Sequence, residues 1–306
     1  MKMARLAWTL ILSGAAGAWI GLAGTLFPAL DPVASFMPLF ATAIVLGVAI
    51  GWRGGWRVGM VAILALLPAF VAIAPELLRS LPVAPGHAPA VRILTHNVWV
   101  DNDDPARTAE VILDAQPDVV LLQEVGGNFR PMLAALQQAL PFFTDCPPGC
   151  NLAILSRWPI ADRDYFLKDI QGRPFGPPLA WARIIPPGMA PFRVATRHYA
   201  QPLPAARQAD DRAKVVRALG RIDTSDLIFA GDMNLTPWTA AMRGQDADLT
   251  PMIRYTRAMA SWRRPIPSFP IDHLYAGPKW ELIESRRLPA TGSDHYPILV
   301  SLGRRL

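Results

Sequence analysis

The sequence predicts an α/β domain built on mixed β-sheets and preceded by three membrane-spanning helices. Three observations predict it. Of the 306 residues, 52% are hydrophobic, and the excess is concentrated at the front. Behind that front, short Val/Ile/Leu runs alternate with stretches of helical periodicity. Several of these runs end on an acid, an amide or a histidine, the arrangement by which strand ends build a site along one edge of a sheet.

At the front, residues 6–30, 33–52 and 58–78 each have the length of a membrane span, and the only charge within them, Glu76, lies at the end of the third. The first also carries the marks of a signal peptide, with Lys2 and Arg5 before an apolar region and small residues near Ala18. Cleavage there would leave two spans and an anchored protein. Lys2, Arg5, Arg53 and Arg57 flank the spans on one side, whereas the first connection carries only Asp31. By the positive-inside rule the basic flanks stay cytoplasmic, so an odd number of spans puts the C-terminal part outside; in a bacterium this is the periplasmic face of the inner membrane. Gly17 with Gly21, and Gly47 with Gly51, have the spacing that lets helices approach closely, within the anchor or between two copies.

The expected organisation is an anchor at 1–80, a Pro/Gly/Ala linker at 81–90 and a catalytic domain at 91–306. The formal charge is +6, but residues 1–85 hold five basic and two acidic residues, which leaves 25 basic and 22 acidic residues beyond, a net +3. No run of Lys or Arg occurs, so the strong basic patch of a dedicated duplex-DNA binder is absent. Cys146 and Cys150 are the only cysteines, close enough for a short disulfide in an oxidising compartment and too few for a structural zinc site. Two free thiols are the alternative.

Within the domain, apolar runs predict strands at 91–97, 119–123, 151–156, 180–185, 192–199, 227–230, 273–275, 281–283 and 297–302. A Pro-Pro-Gly turn joins the fourth and fifth as a hairpin. Helical patterns fall at 108–115, 128–140 and 205–222, the last with Val215, Val216, Leu219 and Ile222 in one apolar stripe. Hairpins mixed with helical crossovers imply mixed sheets.

The polar residues at these strand ends are Asn97, Glu124, His198, Asp232, Asn234, Asp272, Asp294 and His295. A carboxylate such as Glu124 at the end of an apolar strand needs a partner, which a hard cation or a nearby arginine supplies. Asp232 and Asn234 lie two apart and project to the same side of an extended chain, one suited to activating water and the other to donating to a phosphate oxygen; Asp-x-Asn also occurs as a plain turn. His96 and His273 adjoin site residues and should face the opposite way. Arg157, Arg173, Arg207 and Trp238 are expected on the substrate side, Trp238 with core packing as the alternative at the start of a short helix after Thr236-Pro237. Trp262 with Arg263 and Arg264 sits in a Pro-rich loop that either closes over the site or is solvated.

In their order and spacing, these segments resemble the endonuclease/exonuclease/phosphatase superfamily, across about 91–302. Gly231-Asp232-Met233-Asn234, Ser293-Asp294-His295 and Asn151-Leu152-Ala153-Ile154-Leu155-Ser156-Arg157 carry the resemblance, and Pro270-Ile271-Asp272-His273 is most similar to the bacterial branch with N-terminal membrane helices. The resemblance implies a four-layer α/β sandwich, two packed mixed sheets flanked by helices. It implies Glu124 as principal metal ligand, with Asn97 and Asp294 completing the shell around Mg²⁺ or Mn²⁺. His198, Asp232, Asn234, Asp272 and His295 are then catalytic, Asp272 orienting His295. Trp99 stands where abasic-site endonucleases of this superfamily carry an acid. The implied activity is metal-dependent hydrolysis of a phosphate ester, on nucleic acid or a lipid headgroup; an inert binding module is the competing class.

Overall fold

The Val/Ile/Leu runs are strands, and they assemble into two six-stranded mixed sheets. The computed structural model describes residues 2–52, 55–83, 90–144, 146, 147, 149–168, 171–263 and 268–305; Arg53, most of the expected linker (84–89) and Arg264 lie outside them. The chain divides into two units.

The first unit comprises Met1–Ser80 with Gln201–Ala209 and Leu235–Gln245. Its helices α1 (Lys2–Ala23), α2 (Met37–Gly51) and α3 (Trp56–Leu78) supply three candidate spans long and apolar enough to cross a membrane. Large apolar side chains such as Leu12, Leu39, Ile63 and Phe70 point outward. Small residues point inward. A Cβ on Gly17 would lie 2.4 Å from the Phe40 ring, and one on Gly47 would lie 2.8 Å from the Ala7 carbonyl, so the small-residue spacing serves packing between α1 and α2. The first helix ends earlier than the hydropathy implied. Pro28 and Pro32 lack the N–H that a continuing α-helix needs, and Pro28–Phe36 forms a 3₁₀ segment instead.

The second unit holds both sheets. The first has the order β11 (Trp280–Arg287), β12 (Ile298–Arg304), β1 (Ala90–Asn97), β2 (Val119–Gln123), β4 (Leu152–Ser156), β3 (Phe142–Phe143). The second has the order β5 (Ile160–Lys168), β6 (Pro174–Ile184), β7 (Phe192–Thr196), β8 (Leu227–Asp232), β10 (Asp272–Ala276), β9 (Ile253–Arg254). Alternation along each strand sorts the side chains. Ile93, Val119 and Leu121 meet Val194, Ile228 and Leu274 in the core between the sheets. Leu94, Val120 and Leu122 face the other way, onto Ile112 of α4 (Pro105–Asp114) and Leu136 of α5 (Arg130–Gln137). Each such side chain, fully buried, contributes about 1.5–3 kcal/mol. Helices α6 (Ala205–Leu219) and α7 (Ala240–Asp248) follow β7 and β8. This is the expected four-layer α/β sandwich behind three apolar helices. Cys146 and Cys150 are paired as a disulfide, with Cα atoms 5.8 Å apart.

Strand direction explains why the polar ends converge. β1 and β2 are parallel, as are β7 and β8, so Asn97 and Glu124, and likewise Thr196 and Asp232, leave their sheets on one edge. β10 runs antiparallel to β8 and begins at that same edge, with Asp272 directly opposite Asp232. β12 runs antiparallel to β1, so the turn before it, with Asp294 and His295, arrives there too.

Candidate active site

Asn97 bridges two carboxylates. Its Nδ2 donates to Glu124 Oε1 (2.8 Å) and Asp232 Oδ2 (3.1 Å), while its Oδ1 accepts from the Trp99 amide (2.9 Å). Val100 N donates to the other Glu124 oxygen (3.0 Å). Trp99 and Glu124 both have positive φ (58° and 59°), which turns the backbone sharply after each strand and aims these amides back at the site. His198 Nε2 lies 3.4 Å from Asp232 Oδ2 and 3.7 Å from Glu124 Oε1. Asn234 Nδ2 donates to the Tyr199 carbonyl (3.0 Å) and reaches His198 Nε2 at 3.3 Å, and its own amide donates to Asp232 Oδ1 (2.9 Å).

His295 stands on the other side of Asp232. Its Nδ1 is 2.8 Å from Asp272 Oδ2 and its Nε2 is 3.6 Å from Asp232 Oδ2. Burial by itself lowers the His295 ring, but the Asp272, Asp232 and Asp294 carboxylates outweigh it and hold the ring up to about 9. The ring is therefore an imidazolium at neutral pH, and Nδ1–H donates to Asp272. Burial works to raise Asp272 as well, yet the His295 charge and hydrogen bonds from His295 and Ser261 keep its carboxyl below the usual range. Burial pushes the Asp232 carboxyl up, against the pull of His295 and His198. A raised carboxyl is a stronger base than an exposed one.

Among the described residues, two groups bring three ligand atoms within 4.8 Å of one another: Glu124, His198 and Asp232, and then Asp232, Asp272 and His295. Two carboxylates and an imidazole in the first group fit a hard divalent cation. Of the residues expected to hold it, Glu124 belongs to that group, and Asn97 touches two of its members through its amide nitrogen. Asp294 belongs to neither group and lies on the His295 side, 3.9 Å from Nε2, with a buried Oδ1 that has no hydrogen-bond partner.

Four further residues reach the site: Ser261 and Thr291 without an advance signal, Ser293 from within the Ser293-Asp294-His295 motif, and Trp262 from the Pro-rich loop expected either to close over the site or to be solvated. Ser261 Oγ donates to Asp272 Oδ2 (2.6 Å), and Trp262 Nε1 donates to Asp294 Oδ2 (2.8 Å). Ser293 Oγ donates to the Asn97 carbonyl (2.7 Å) and accepts from the His295 amide (3.0 Å), tying β1 to the turn before β12. Thr291 Oγ1 supports that turn by accepting from Ser293 N (3.1 Å) and lies 3.2 Å from His96 Nε2. His96 faces away from Asn97's partners, as expected. Burial, then the His295 charge, push its ring down to about 3, so it is neutral. His273 likewise turns away, to Thr256 (3.2 Å). Arg157 does not line the substrate side. It pairs with Asp118 (3.2 Å), just before β2 and so at the edge opposite Glu124.

A family model for the endonuclease/exonuclease/phosphatase family matches residues 94–295. No curated protein matches the chain. Among solved structures, an endonuclease/exonuclease/phosphatase from Beutenbergia cavernae is similar at 20% identity, with a TM-score of 0.56 over 70% of this chain and 72% of that one. The TDP2 of D. rerio, complexed with a single-strand DNA product, is similar at 16% identity, TM-score 0.55, over 70% of this chain and 99% of that one. Sphingomyelinase C from Streptomyces griseocarneus is similar at 17% identity, TM-score 0.51, over 70% and 99%. At these identities the structures share a fold, and the family match spans every candidate site residue from Asn97 to His295. Members of this family are in general hydrolases of phosphoester bonds that use divalent cations. With the strand-end carboxylates and histidines in that order on that fold, the chain belongs to the endonuclease/exonuclease/phosphatase family.

Proposed function

We propose that the protein is a membrane-anchored, divalent-metal-dependent phosphoesterase whose catalytic domain faces the extracytoplasmic side. The observation that carries the chemistry is Asp232, a 2% exposed carboxylate shared by both three-residue groups. Glu124, with His198 and Asp232 beside it and Asn97 and Asp294 in support, would hold Mg²⁺ or Mn²⁺. Once bound, the ion supplies Lewis-acid polarisation of a phosphoryl oxygen. Asp232, a strengthened base, accepts a proton from the attacking water. His295, kept charged by Asp272, and the Asn234 amide beside His198 donate to the charge that develops on the phosphoryl group. Water is the nucleophile, so no covalent intermediate with the enzyme forms.

A cleft of about 730 Å³ begins at Val125, the residue after Glu124, and is lined by Arg130, Gln137, Phe143, Asn151 and the Cys146 disulfide among others. Arg130 is the only cation in its described lining. None of the candidate site residues lines this cleft; a net charge of only +3 beyond the anchor, with no run of Lys or Arg, favours a small or lipid-borne phosphate ester over duplex nucleic acid. The test is hydrolysis by the full-length protein in nanodiscs, offering DNA, RNA, phospholipid and a chromogenic phosphodiester, with Mg²⁺ and with chelator. Glu124→Gln should abolish the metal-dependent rate while the fold remains intact, because it removes one charge from a hard-cation site. Unchanged turnover at limiting Mg²⁺ removes Glu124 from the metal shell. No chelator-sensitive hydrolysis of any substrate makes the domain a binding module.

A further inference from the structure

The first unit joins the apolar helices to Leu235–Gln245, the stretch of chain that begins immediately after Asn234. Inside this unit the 3₁₀ segment between α1 and α2 grips that stretch. Asp31, 7% exposed, accepts at Oδ1 from the Ala240 amide (2.7 Å) and at Oδ2 from the Ala241 amide (2.9 Å). These are two of the N–H groups that the start of any helix leaves unpaired, and α7 has no acid of its own in its first turn. Thr239, at the start of the same helix, covers only the Met242 amide (3.2 Å). Four residues after Asp31, the Ser35 carbonyl accepts from Trp238 Nε1 (3.2 Å), and Ser35 Oγ accepts from Thr236 Oγ1 (3.3 Å).

The gripping segment is itself held in place. A Cβ on Gly24 would lie 2.5 Å from the Asp31 Cα, and one on Gly21 would lie 3.0 Å from the Ala34 Cα, so the segment is seated directly against the end of α1. Asn234 has φ 50°, and this left-handed turn passes the chain from the active-site strand into the gripped stretch. Where residues 235–241 sit therefore constrains where the Asn234 amide can point.

We infer that Asp31 and Ser35 are positioning residues for the active site: the connection between the first two apolar helices caps α7 and, through residues 235–241, holds Asn234 against His198 and Tyr199. The inference rests on the proposed phosphoesterase activity only for its kinetic arm.

The test uses the full-length protein in nanodiscs and reads amide hydrogen exchange first. Asp31→Ala should accelerate exchange at Ala240 and Ala241, and the acceleration should continue through to Asn234. Asp31→Asn, which keeps one acceptor oxygen and turns an NH₂ toward the other amide, should restore protection at only one of the two. With the chromogenic phosphodiester and Mg²⁺, Asp31→Ala should lower kcat on the order of five- to tenfold with KM unchanged, and Asp31→Asn should recover only part of the loss. Unchanged exchange at Ala240 and Ala241, or acceleration that stops short of Asn234, overturns the inference. So does an unchanged kcat in an active protein. If wild type hydrolyses nothing, the functional reading fails while the exchange pattern still decides the clamp. Should Asp31→Ala fail to insert, Asp31→Leu, which fills the space but offers no capping oxygen, gives the same comparison against wild type.

Discussion

One oxygen of Asp272 receives two hydrogen bonds, from Ser261 Oγ and from His295 Nδ1, while its other oxygen is buried with none. That asymmetry fixes the carboxylate plane, and in the proposed mechanism Asp272 orients and charges His295. Asp272→Asn and His295→Ala should each lower turnover by about 10²–10⁴, the range for a positioned acid–base group. The double variant should be little worse than His295→Ala, because a carboxylate without its imidazole has nothing to orient. Ser261→Ala should lie well short of either loss, since His295 alone still holds Asp272. Multiplying losses would give Asp272 an independent role and sink the assignment. Asp272 and His295 were legible as a pair in the sequence, through their motifs. Ser261 was not: a serine in an aperiodic Pro-rich loop looks like any other until the loop packs against Asp272.

At the scale of elements, strands with an apolar run were legible, and those without one were not. β2 was expected at 119–123 and is found there, because all five of its residues are buried and all are apolar or at the strand end. β5 went unread because it is an edge strand whose exposed Ala161, Asp162 and Arg163 erase any apolar alternation. The helices of the anchor carry a sharper test. Gly47 faces backbone, with the Ala7 carbonyl and Ile11 amide 2.8 and 3.1 Å from a would-be Cβ, whereas Gly59 has nothing within 4 Å. Gly47→Ala should therefore lower the thermal midpoint by several degrees, while Gly59→Ala should leave it unchanged or slightly raised. Equal effects at both sites would mean that the close approach of α1 and α2 contributes nothing, and would reopen the reading of these glycines as a contact between two copies.

For the whole molecule, the consequential question is which side of the membrane the catalytic residues occupy. The bonds from Asp31 to Ala240 and Ala241 require the connection between α1 and α2 to share a side with those residues, and three spans satisfy that requirement. On the proposed topology, the positive-inside rule keeps Lys2, Arg5, Arg53 and Arg57 cytoplasmic, which would put that side outside. Alkaline phosphatase fused after Leu306 should be active and a cytoplasm-dependent fluorescent reporter dark. The reverse pattern inverts the topology and removes the periplasmic assignment.

Hydropathy and local periodicity by themselves determined three apolar spans, most of the buried strands and the ordered set of polar strand ends, because each of these is written within a single element. Tertiary structure decided what no single element encodes. Antiparallel register set Asp272 opposite Asp232. A turn closed by Thr291 and Ser293 delivered His295, and the Asn97 amide came to lie between two carboxylates. The capping of α7 by Asp31 joins residues more than 200 positions apart. Such contacts depend on how separate elements pack, and packing leaves no periodic trace in the chain.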